Sequence, residues 1–411
     1  MLVLSGLVGG LMYAGARADR RGNDTDFIPR FAPGAQRQIG TRDPAPWPVW
    51  GHTATRDRFA TIAGMRPPFT QAWEYRAKAL IEAPPVVDST HLYLGISDGT
   101  IVAIDRNTGK RVWRTRTPGP IAAPPAISGD KLYVAEMDGT LYVLSTSTGA
   151  ILWSFRTGSR LESSPIVVGQ RVLFGAHNGT LYCLNAQKHR VSWTYNAEAP
   201  IKAGVAIWGD YAYVGSYDGR MHAVRVVDGS RFWSTQTRRD FSFGGSLFST
   251  PAVAYGRVYV GSTDGRVYSL GARTGKVNWY HTTGDWVYGS PAIAGGRVLV
   301  GSYDGWFYSF DARTGDERWK FRADDRIAGS ATVINRNVYF SSMGGTTYGL
   351  RLRDGKSIWT FPDGRYSPVV ADKTQFYVTG RFRQYALLPP ATVRPPSGDR
   401  LAPSQQVTAN S

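Results

Sequence analysis

Residues 103–113 read AIDRNTGKRVW, and stretches of this kind recur along most of the chain. The tryptophan that ends this stretch is one of eight, which are separated by 40 residues in six of the seven intervals and by 46 residues in the other. The eight are Trp73, Trp113, Trp153, Trp193, Trp233, Trp279, Trp319 and Trp359. A sequence-wide period of this length predicts a repeat architecture.

Each repeat contains short runs of β-branched and aromatic residues that are joined by two-residue turns. The first turns are Asp98-Gly99, Asp138-Gly139, Asn178-Gly179, Asp218-Gly219, Asp264-Gly265, Asp304-Gly305 and the weaker Gly344-Gly345. Asp-Gly and Asn-Gly between apolar runs indicate β-hairpins, because both central residues of a type I′ turn need a positive φ. A second glycine turn, such as Thr148-Gly149, leads into the tryptophan strand. Each repeat is therefore predicted to be a four-stranded antiparallel blade of a β-propeller.

The number of blades follows from the two ends of the repeat region. Eight hairpins follow a small or proline residue, and the last of them runs from Val369 to Leu387. Trp73 precedes the first hairpin, whereas no tryptophan strand follows the last one. We therefore expect an all-β, eight-bladed propeller whose last blade is closed by the N-terminal strand, so that no sheet edge is left open. A seven-bladed ring is the alternative, and it would leave the residues after Trp359 without a place.

The stretch at residues 103–113, together with FDARTGDERW at 310–319, resembles the tryptophan-docking repeat of the pyrroloquinoline-quinone (PQQ)-like propeller family. The resemblance covers residues 69–388 and implies that each repeated tryptophan packs against the neighbouring blade. The family includes quinoprotein alcohol dehydrogenases, BamB-type outer-membrane assembly proteins and sensor propellers of kinases. The segment WPVWGHTATR at 47–56 is similar to the one that precedes the propeller in quinoprotein dehydrogenases.

The N-terminal residues predict export or membrane attachment. Residues 2–16 are apolar and uncharged, and 16–18 read Ala-Arg-Ala, a small-x-small cleavage pattern. The apolar run is shorter than the ~20 residues of a spanning helix. We expect a signal peptide or membrane anchor at 1–21, a linker and N-terminal cap segment at 22–68, the propeller at 69–388 and a disordered proline-rich tail at 389–411. The predicted location is the bacterial cell envelope, either membrane-anchored or secreted.

The chain is strongly basic, with 48 Lys and Arg against 31 Asp and Glu, a formal charge of +17. A basic surface favours anionic partners, although a genome-wide preference for arginine would give the same composition. The sequence disfavours nucleic acid, because no basic run interleaved with aromatic residues follows one strand. The predicted partner is a protein or an anionic cell-envelope component. The oligomeric state is not predicted.

Catalytic chemistry is only weakly supported. The resemblance implies that a quinoprotein dehydrogenase would hold a divalent cation through Glu, Asn and Asp, with an Asp as base and often a vicinal cysteine pair. The chain has one cysteine, Cys183, which is predicted to be buried, and most of its Asp residues are explained by turns. No two histidines have the spacing of a metal site on one element. We therefore predict no catalytic, cofactor-binding or metal residues, and PQQ with Ca²⁺ stays the alternative.

The one irregular interval marks a candidate binding loop. The 46-residue spacing places extra residues within 237–248, and the residues that could grip an anionic or aromatic group are Arg238, Arg239, Phe241 and Phe243. A tolerated surface loop is the other interpretation. The tryptophans outside the lattice, Trp208, Trp286 and Trp306, are expected to pack within blades.

These features predict a non-catalytic, extracytoplasmic binding or assembly scaffold built on a PQQ-like propeller. Two alternatives remain, a PQQ-dependent quinoprotein oxidoreductase and a ligand-sensing propeller for a signalling partner. The sequence does not identify the partner or ligand.

Overall fold

The computed structural model describes residues 26–28, 47–237, 245–366 and 369–390. They form eight antiparallel four-stranded blades in a ring, which confirms the predicted fold class. Blades 1 to 4, from the innermost strand outward, are β3 (Val86–Val87), β4 (His91–Gly95), β5 (Thr100–Asp105), β6 (Arg111–Arg116); β7 (Ala126–Ser128), β8 (Lys131–Ala135), β9 (Thr140–Ser145), β10 (Ile151–Arg156); β11 (Ile166–Val168), β12 (Arg171–Gly175), β13 (Thr180–Asn185), β14 (Arg190–Asn196); β15 (Ala206–Trp208), β16 (Tyr211–Gly215), β17 (Arg220–Arg225), β18 (Arg231–Gln236).

The remaining blades follow the same order, and the last one takes its outer strand from the start of the repeat region. Blades 5 to 8 are β19 (Ala252–Ala254), β20 (Arg257–Gly261), β21 (Arg266–Gly271), β22 (Val277–Thr282); β23 (Ala292–Ala294), β24 (Arg297–Gly301), β25 (Trp306–Asp311), β26 (Glu317–Arg322); β27 (Thr332–Ile334), β28 (Asn337–Ser341), β29 (Thr347–Arg351), β30 (Ser357–Phe361); β31 (Val370–Ala371), β32 (Phe376–Thr379), β33 (Arg383–Leu388), β2 (Thr70–Arg76). Since β2 pairs antiparallel with β33, with Trp73 opposite Ala386, the N-terminal strand closes the ring as predicted.

The turns of each blade divide the ring into two faces. The hairpin between the second and third strands lies beside the connection to the next blade, as Thr117 N donates to Gly99 O at 2.9 Å. The hairpin between the first and second strands lies beside the turn before the outer strand, as Arg106 N donates to Thr90 O at 3.1 Å. We call the first side the mouth face and the second side the base face.

The tryptophans of six outer strands contact the next blade in the same way. Each indole Nε1–H donates to a backbone carbonyl in the next blade's base-face turn. The donor–acceptor pairs are Trp73–Arg106 (2.8 Å), Trp113–Thr146 (2.7 Å), Trp193–Val226 (3.0 Å), Trp233–Ala272 (2.9 Å), Trp279–Ala312 (3.1 Å) and Trp319–Leu352 (3.0 Å). The ring of each indole lies on the glycine of that turn: a β-carbon on Gly229 would come within 2.6 Å of Trp193.

The other two tryptophans differ because the turn they face differs. Trp153 faces a turn that carries His189 where the other blades have glycine, and the two rings stack at 4.7 Å. Within the described part of the chain, the Trp153 Nε1–H has no hydrogen-bond partner. Trp359 faces blade 8, which has no turn before its outer strand because that strand is β2. Phe69 and Phe376 fill this interface, with ring centroids 5.2 and 5.6 Å from Trp359.

A segment that precedes β2 runs through the central channel, which the sequence did not predict. The innermost strand of a blade has unpaired N–H groups on its channel side, and carbonyls of residues 47–60 accept hydrogen bonds from six of the blades. The donor–acceptor pairs are Val87–Trp47 (2.9 Å), Ile127–Pro48 (2.7 Å), Ile207–Ala54 (2.7 Å), Val253–Thr55 (2.8 Å), Ile293–Asp57 (2.8 Å) and Val333–Arg58 (2.8 Å). The segment ends in β1 (Phe59–Ala60), which pairs parallel with β27. We call residues 47–60 the channel segment.

Two arginines of the channel segment are completely buried, so they need polar partners inside the channel. Arg56 Nε donates to Val205 O at 2.9 Å, and its Nη2 lies 3.4 Å from Pro165 O. Arg58 Nη1 donates to Pro291 O at 3.0 Å. Through these bonds the segment also reaches blade 3. Each arginine links the segment to a blade by its side chain, and Arg58 does so through its carbonyl as well.

Cys183 is buried in blade 3, as predicted. The described residues include no helix with the length and apolar character of a membrane span.

We expect Trp193→Ala to lower the free energy of unfolding by about 3–5 kcal/mol, because it removes a buried ring and leaves a cavity between blades 3 and 4. The measurement is urea denaturation followed by circular dichroism. Trp286→Ala is the control: its side chain is 49% exposed, so the change should stay within about 0.5 kcal/mol. Equal effects of the two substitutions would contradict a docking role for Trp193.

Candidate binding site at the mouth of the propeller

On the mouth face the ring opens into a cavity of about 390 Å³ on its axis. All eight blades contribute the same position of the repeat to its wall, the second residue before the small or proline residue that starts the innermost strand. The eight residues are Glu82, Ala122, Glu162, Lys202, Phe248, Tyr288, Ala328 and Tyr366. We call this set the mouth ring. Its residues differ from blade to blade, whereas the structural positions of the repeat are similar.

Hydroxyl groups just below the mouth ring connect one blade to the next. Ser290 Oγ accepts a hydrogen bond from Thr250 N at 2.9 Å, and Ser330 Oγ accepts one from Ser290 N at 2.8 Å. Thr250 Oγ1 accepts from Gly204 N at 2.9 Å in the same manner. The small residues at the start of the innermost strands therefore hold neighbouring blades at a fixed separation, which sets the width of the cavity.

The channel segment forms the floor of the cavity through Trp50. The guanidinium carbon of Arg58 lies 5.0 Å from the centroid of the Trp50 ring. The Trp50 carbonyl accepts a hydrogen bond from Arg56. The cavity is therefore a closed-bottomed cup, because the segment fills the channel beneath it.

One side of the cup carries a compact charge network around Glu162, whose side chain is 7% exposed. Its carboxylate lies 2.7 Å from Lys202 Nζ and 2.6 Å from Arg160 Nε, and 3.4 Å from His177 Nε2. Two cations thus neutralise one buried carboxylate. The ammonium of Lys202 also lies over two rings of the cup, 5.7 Å from the centroid of Phe248 and 5.3 Å from that of Tyr288.

These contacts shift the pKa values of the ionisable groups. Burial lowers the pKa of Lys202, but the Glu162 carboxylate and the Tyr288 hydroxyl more than offset it, so the pKa lies above the usual range. Burial lowers the pKa of His177, and the positive charges of Arg160 and Lys202 act in the same direction against Glu162. Burial, followed by the negative charge of Glu162, raises the pKa of Glu82. At neutral pH the cup therefore combines a cationic Lys202 with a neutral His177.

An arc of aromatic rings adjoins this network. Ring centroids are 4.6 Å apart for Tyr217 and Phe248, 5.4 Å for Phe248 and Tyr288, and 6.1 Å for Tyr288 and Tyr303. Trp286 continues the arc at 5.9 Å from Tyr303. The expectation that Trp286 packs within a blade is wrong: it lies on the rim, 49% exposed, because it sits in the connection between blades 5 and 6.

The cup does not fit the divalent cation of a quinoprotein. The carboxylates on its wall are Glu82 and Glu162, and a lysine and an arginine already occupy the oxygens of Glu162. A Ca²⁺ ion needs six to eight oxygen ligands, and an ammonium group in the same place repels it. Among the residues that the structure describes, no three His, Cys, Asp or Glu side chains come together as a metal site.

The predicted loop residues Arg238, Arg239, Phe241 and Phe243 lie outside the described residues. The two ends of that loop are described, and both lie at the mouth. Thr237 N donates to Gly219 O at 3.1 Å, and Ser246 Oγ donates to Tyr217 O at 2.8 Å. Phe248, two residues further on, belongs to the mouth ring.

Sequence reasoning missed the mouth ring although the repeat contains a signal for it. Six of the eight residues come nine residues after a tryptophan of the lattice, and the set changes in charge and size where other positions are similar. When one position of the repeat carries a different type of side chain in each blade, the fold does not determine which residue stands there. The sequence does not show which position of the repeat faces the propeller axis, because that depends on the tilt of the blades.

Comparisons with known proteins agree with this fold. A family model described as outer membrane protein assembly factor BamB matches residues 97–255 and 240–362. No curated protein sequence matches the chain at a significant level. Among solved structures, BamB from Moraxella catarrhalis is 17% identical over 78% of this chain and 99% of its own, with a TM-score of 0.67.

Two further solved structures show how widely the same fold is used. The quinohemoprotein alcohol dehydrogenase ADHIIG from Pseudomonas putida HK5 is 13% identical over 90% of this chain and 84% of its own, with a TM-score of 0.73. The computationally designed Ika8 protein is 15% identical over 77% of this chain and 98% of its own, with a TM-score of 0.67. At these identities the likeness concerns the fold, so function must be argued from the cup.

We expect two substitutions in the charge network to move the pKa of His177 in opposite directions. Glu162→Gln should lower it, because the carboxylate favours the protonated imidazole, and Lys202→Met should raise it, because the ammonium disfavours that form. The measurement is a pH titration of ¹³C-labelled histidine by NMR, with His177→Gln for assignment. The signals of His91, on the base face, should stay in place. A shift in the same direction for both variants would contradict the network.

Proposed function

Because the chain belongs to the family of the outer membrane protein assembly factor BamB, we propose that it is a non-catalytic binding and assembly scaffold of the bacterial cell envelope. The observation that carries the proposal is the mouth ring: eight positions that face one cup and differ in chemistry from blade to blade. The rest of the ring supplies a rigid frame for them. In this proposal a segment of a partner protein enters the cup.

The composition of the cup and its rim supports a protein partner. Tyrosine, tryptophan and arginine are enriched among the residues that contribute most to protein–protein binding. The arc from Tyr217 to Trp286 offers such rings in a preformed arrangement, so little conformational freedom is lost on binding. Lys202 and Glu82 add one charge of each sign beside the arc, and these charges would fix the register of the bound segment.

The loop between blades 4 and 5 extends this surface in our proposal. Both described ends of the loop lie at the mouth, and the sequence between them contains Arg238, Arg239, Phe241 and Phe243. We propose that they contact the partner outside the cup. For residues 1–21 we propose a signal peptide or membrane anchor, which would place the propeller outside the cytoplasm.

A quinoprotein oxidoreductase is the second candidate. The likeness to the quinohemoprotein alcohol dehydrogenase and the position of the cup on the propeller axis favour it. The charge network around Glu162 speaks against it, since Lys202 and Arg160 take the place that a cation would need. We derive no reaction step from this candidate.

Photo-crosslinking tests the scaffold proposal. A photoreactive amino acid at Trp286 or Tyr303 should give a discrete adduct with an envelope protein in the source bacterium, detected by mass spectrometry. The same amino acid at Val227, which is 64% exposed on the base face, is the control and should not give that adduct. Adding Arg238→Ala and Arg239→Ala to the Trp286 probe should weaken the adduct. Adducts of the same protein from both faces would contradict binding at the mouth.

Titration with PQQ and Ca²⁺ separates the two candidates. We expect no stoichiometric change in quinone absorbance and no dye reduction with alcohols or sugars, because the donor set of the cup does not fit the cation. Lys202→Met is the informative variant, since it frees one oxygen of Glu162. Stoichiometric quinone binding by the unmodified protein would exclude the non-catalytic proposal.

A further inference from the structure

The base face of blades 5 to 7 is strongly basic. Its turns are residues 254–257, 271–276, 294–297, 311–316, 334–337 and 351–356, which together hold nine basic residues and three acidic residues. The basic residues are Arg257, Arg273, Lys276, Arg297, Arg313, Arg336, Arg351, Arg353 and Lys356. We call this part of the surface the basic sector.

The mouth face of the same three blades has the opposite balance. Its turns are residues 261–266, 282–291, 301–306, 322–331, 341–346 and 361–366, which hold four basic residues and six acidic residues. A genome-wide preference for arginine would enrich both faces alike. The asymmetry is therefore a property of this molecule and requires a reason that acts on one face.

Most of the basic sector is available to a partner. Arg273, Lys276, Arg336 and Lys356 are exposed side chains spread across the three blades. Two of the three acidic residues are partly neutralised by arginines, as Asp311 lies 2.5 Å from Arg318 Nη2 and Asp354 lies 3.2 Å from Arg353 Nε. The exposed surface of the sector is therefore cationic.

The N-terminal part of the chain is fastened to this same sector. The Asp26 carboxylate lies 3.1 Å from Arg257 Nη2, whose side chain is 1% exposed, and accepts a hydrogen bond from Asn278 Nδ2 at 3.0 Å. Phe27 stacks on Tyr255 with ring centroids 5.4 Å apart. Asp26 and Phe27 are therefore held at the basic sector.

Apolar side chains accompany the basic ones on the base face. Ile28 is 48% exposed and Val227 is 64% exposed. Trp208 also lies on this face, with the guanidinium carbon of Arg273 5.9 Å from its ring centroid. Tryptophan and isolated apolar side chains among Lys and Arg are the composition of surfaces that lie at the membrane interface.

We propose that the basic sector lies against an anionic lipid surface and that the mouth is turned away from it. The turns of the three blades form a broad face, which suits a planar array of headgroups. The chain that leads to the N-terminal apolar run starts from the same face, so tether and surface act together; that part rests on the anchor proposed above. A partner protein would then reach the cup from the side away from the membrane.

Site-specific fluorescence tests the orientation with the full chain. Thr274→Cys and Thr282→Cys place one label on each face of blade 5, at opposite ends of β22, and native Cys183 is buried and does not compete. Vesicles contain phosphatidylcholine with about 30% phosphatidylglycerol, typical of an anionic leaflet, and a headgroup quencher. We expect quenching of the Thr274 label and little quenching of the Thr282 label. Equal quenching of both would overturn the proposal.

Charge variants separate this face from general basicity. Lys276→Gln, Arg336→Gln and Lys356→Gln together should weaken anionic vesicle binding by about fivefold per charge, on the order of a hundredfold in all. The matched control removes three exposed arginines from the mouth face, Arg322→Gln, Arg326→Gln and Arg381→Gln, and should change it little. Equal losses in both variants, or tighter binding of a single-stranded oligonucleotide than of vesicles, would overturn the assignment.

A separate flotation experiment tests the proposed anchor. If residues 1–21 do not anchor the protein, the full chain should not float with vesicles of pure phosphatidylcholine. Quenching of the Thr274 label by anionic vesicles in that case still supports the basic sector as the lipid-facing surface.

Discussion

An indole ring that lies on a glycine joins six of the eight blade pairs. The glycine lets the ring approach the backbone, and the indole N–H donates to a backbone carbonyl of the facing turn. Because the contact recurs at nearly constant spacing, it sets both the period of the sequence and the wedge of each blade. Two interfaces lack this contact. At Trp153 the facing turn has no glycine, and at Trp359 the facing blade has no such turn.

The fold could be predicted because its determinants are local and repeated. Asp-Gly hairpins and the tryptophan period specify blades, and the unmatched Trp73 specifies the closure. The channel segment could not be predicted, because its carbonyls bond innermost strands through the backbone, which leaves little trace in side-chain pattern. The prediction for Trp286 was wrong for a related reason. Its exposure depends on the connection between two blades, and the repeat pattern does not predict the exposure of a residue that does not recur in it. The irregular interval drew attention to residues 238–243, whereas the wall of the cup takes one position from every repeat.

Residues that hold the ring together and residues that vary from blade to blade lie at different depths along the propeller axis. Hydroxyl-to-amide bonds such as Thr250 to Ser290 fix the ring, Trp50 and the arginines beneath it seal the channel, and the mouth ring above is left to vary. Backbone bonds hold the floor of the cup in place, so the chemistry of its wall is set by the eight side chains of the mouth ring. The same propeller architecture occurs in an assembly factor, a dehydrogenase and a designed protein.

The channel segment and β2 also impose an order on folding. Residues 47–60 bond strands as distant as β27, and β2 waits for β33, more than 300 residues later in the chain. During synthesis or export from the N-terminus, β2 appears before every other strand of the blades and is the last of them to find its partner. Contacts of such long sequence separation make folding slow. Until the eighth blade emerges, β2 has no partner strand and the ring stays open, so the ring gains its full cooperativity in one final step.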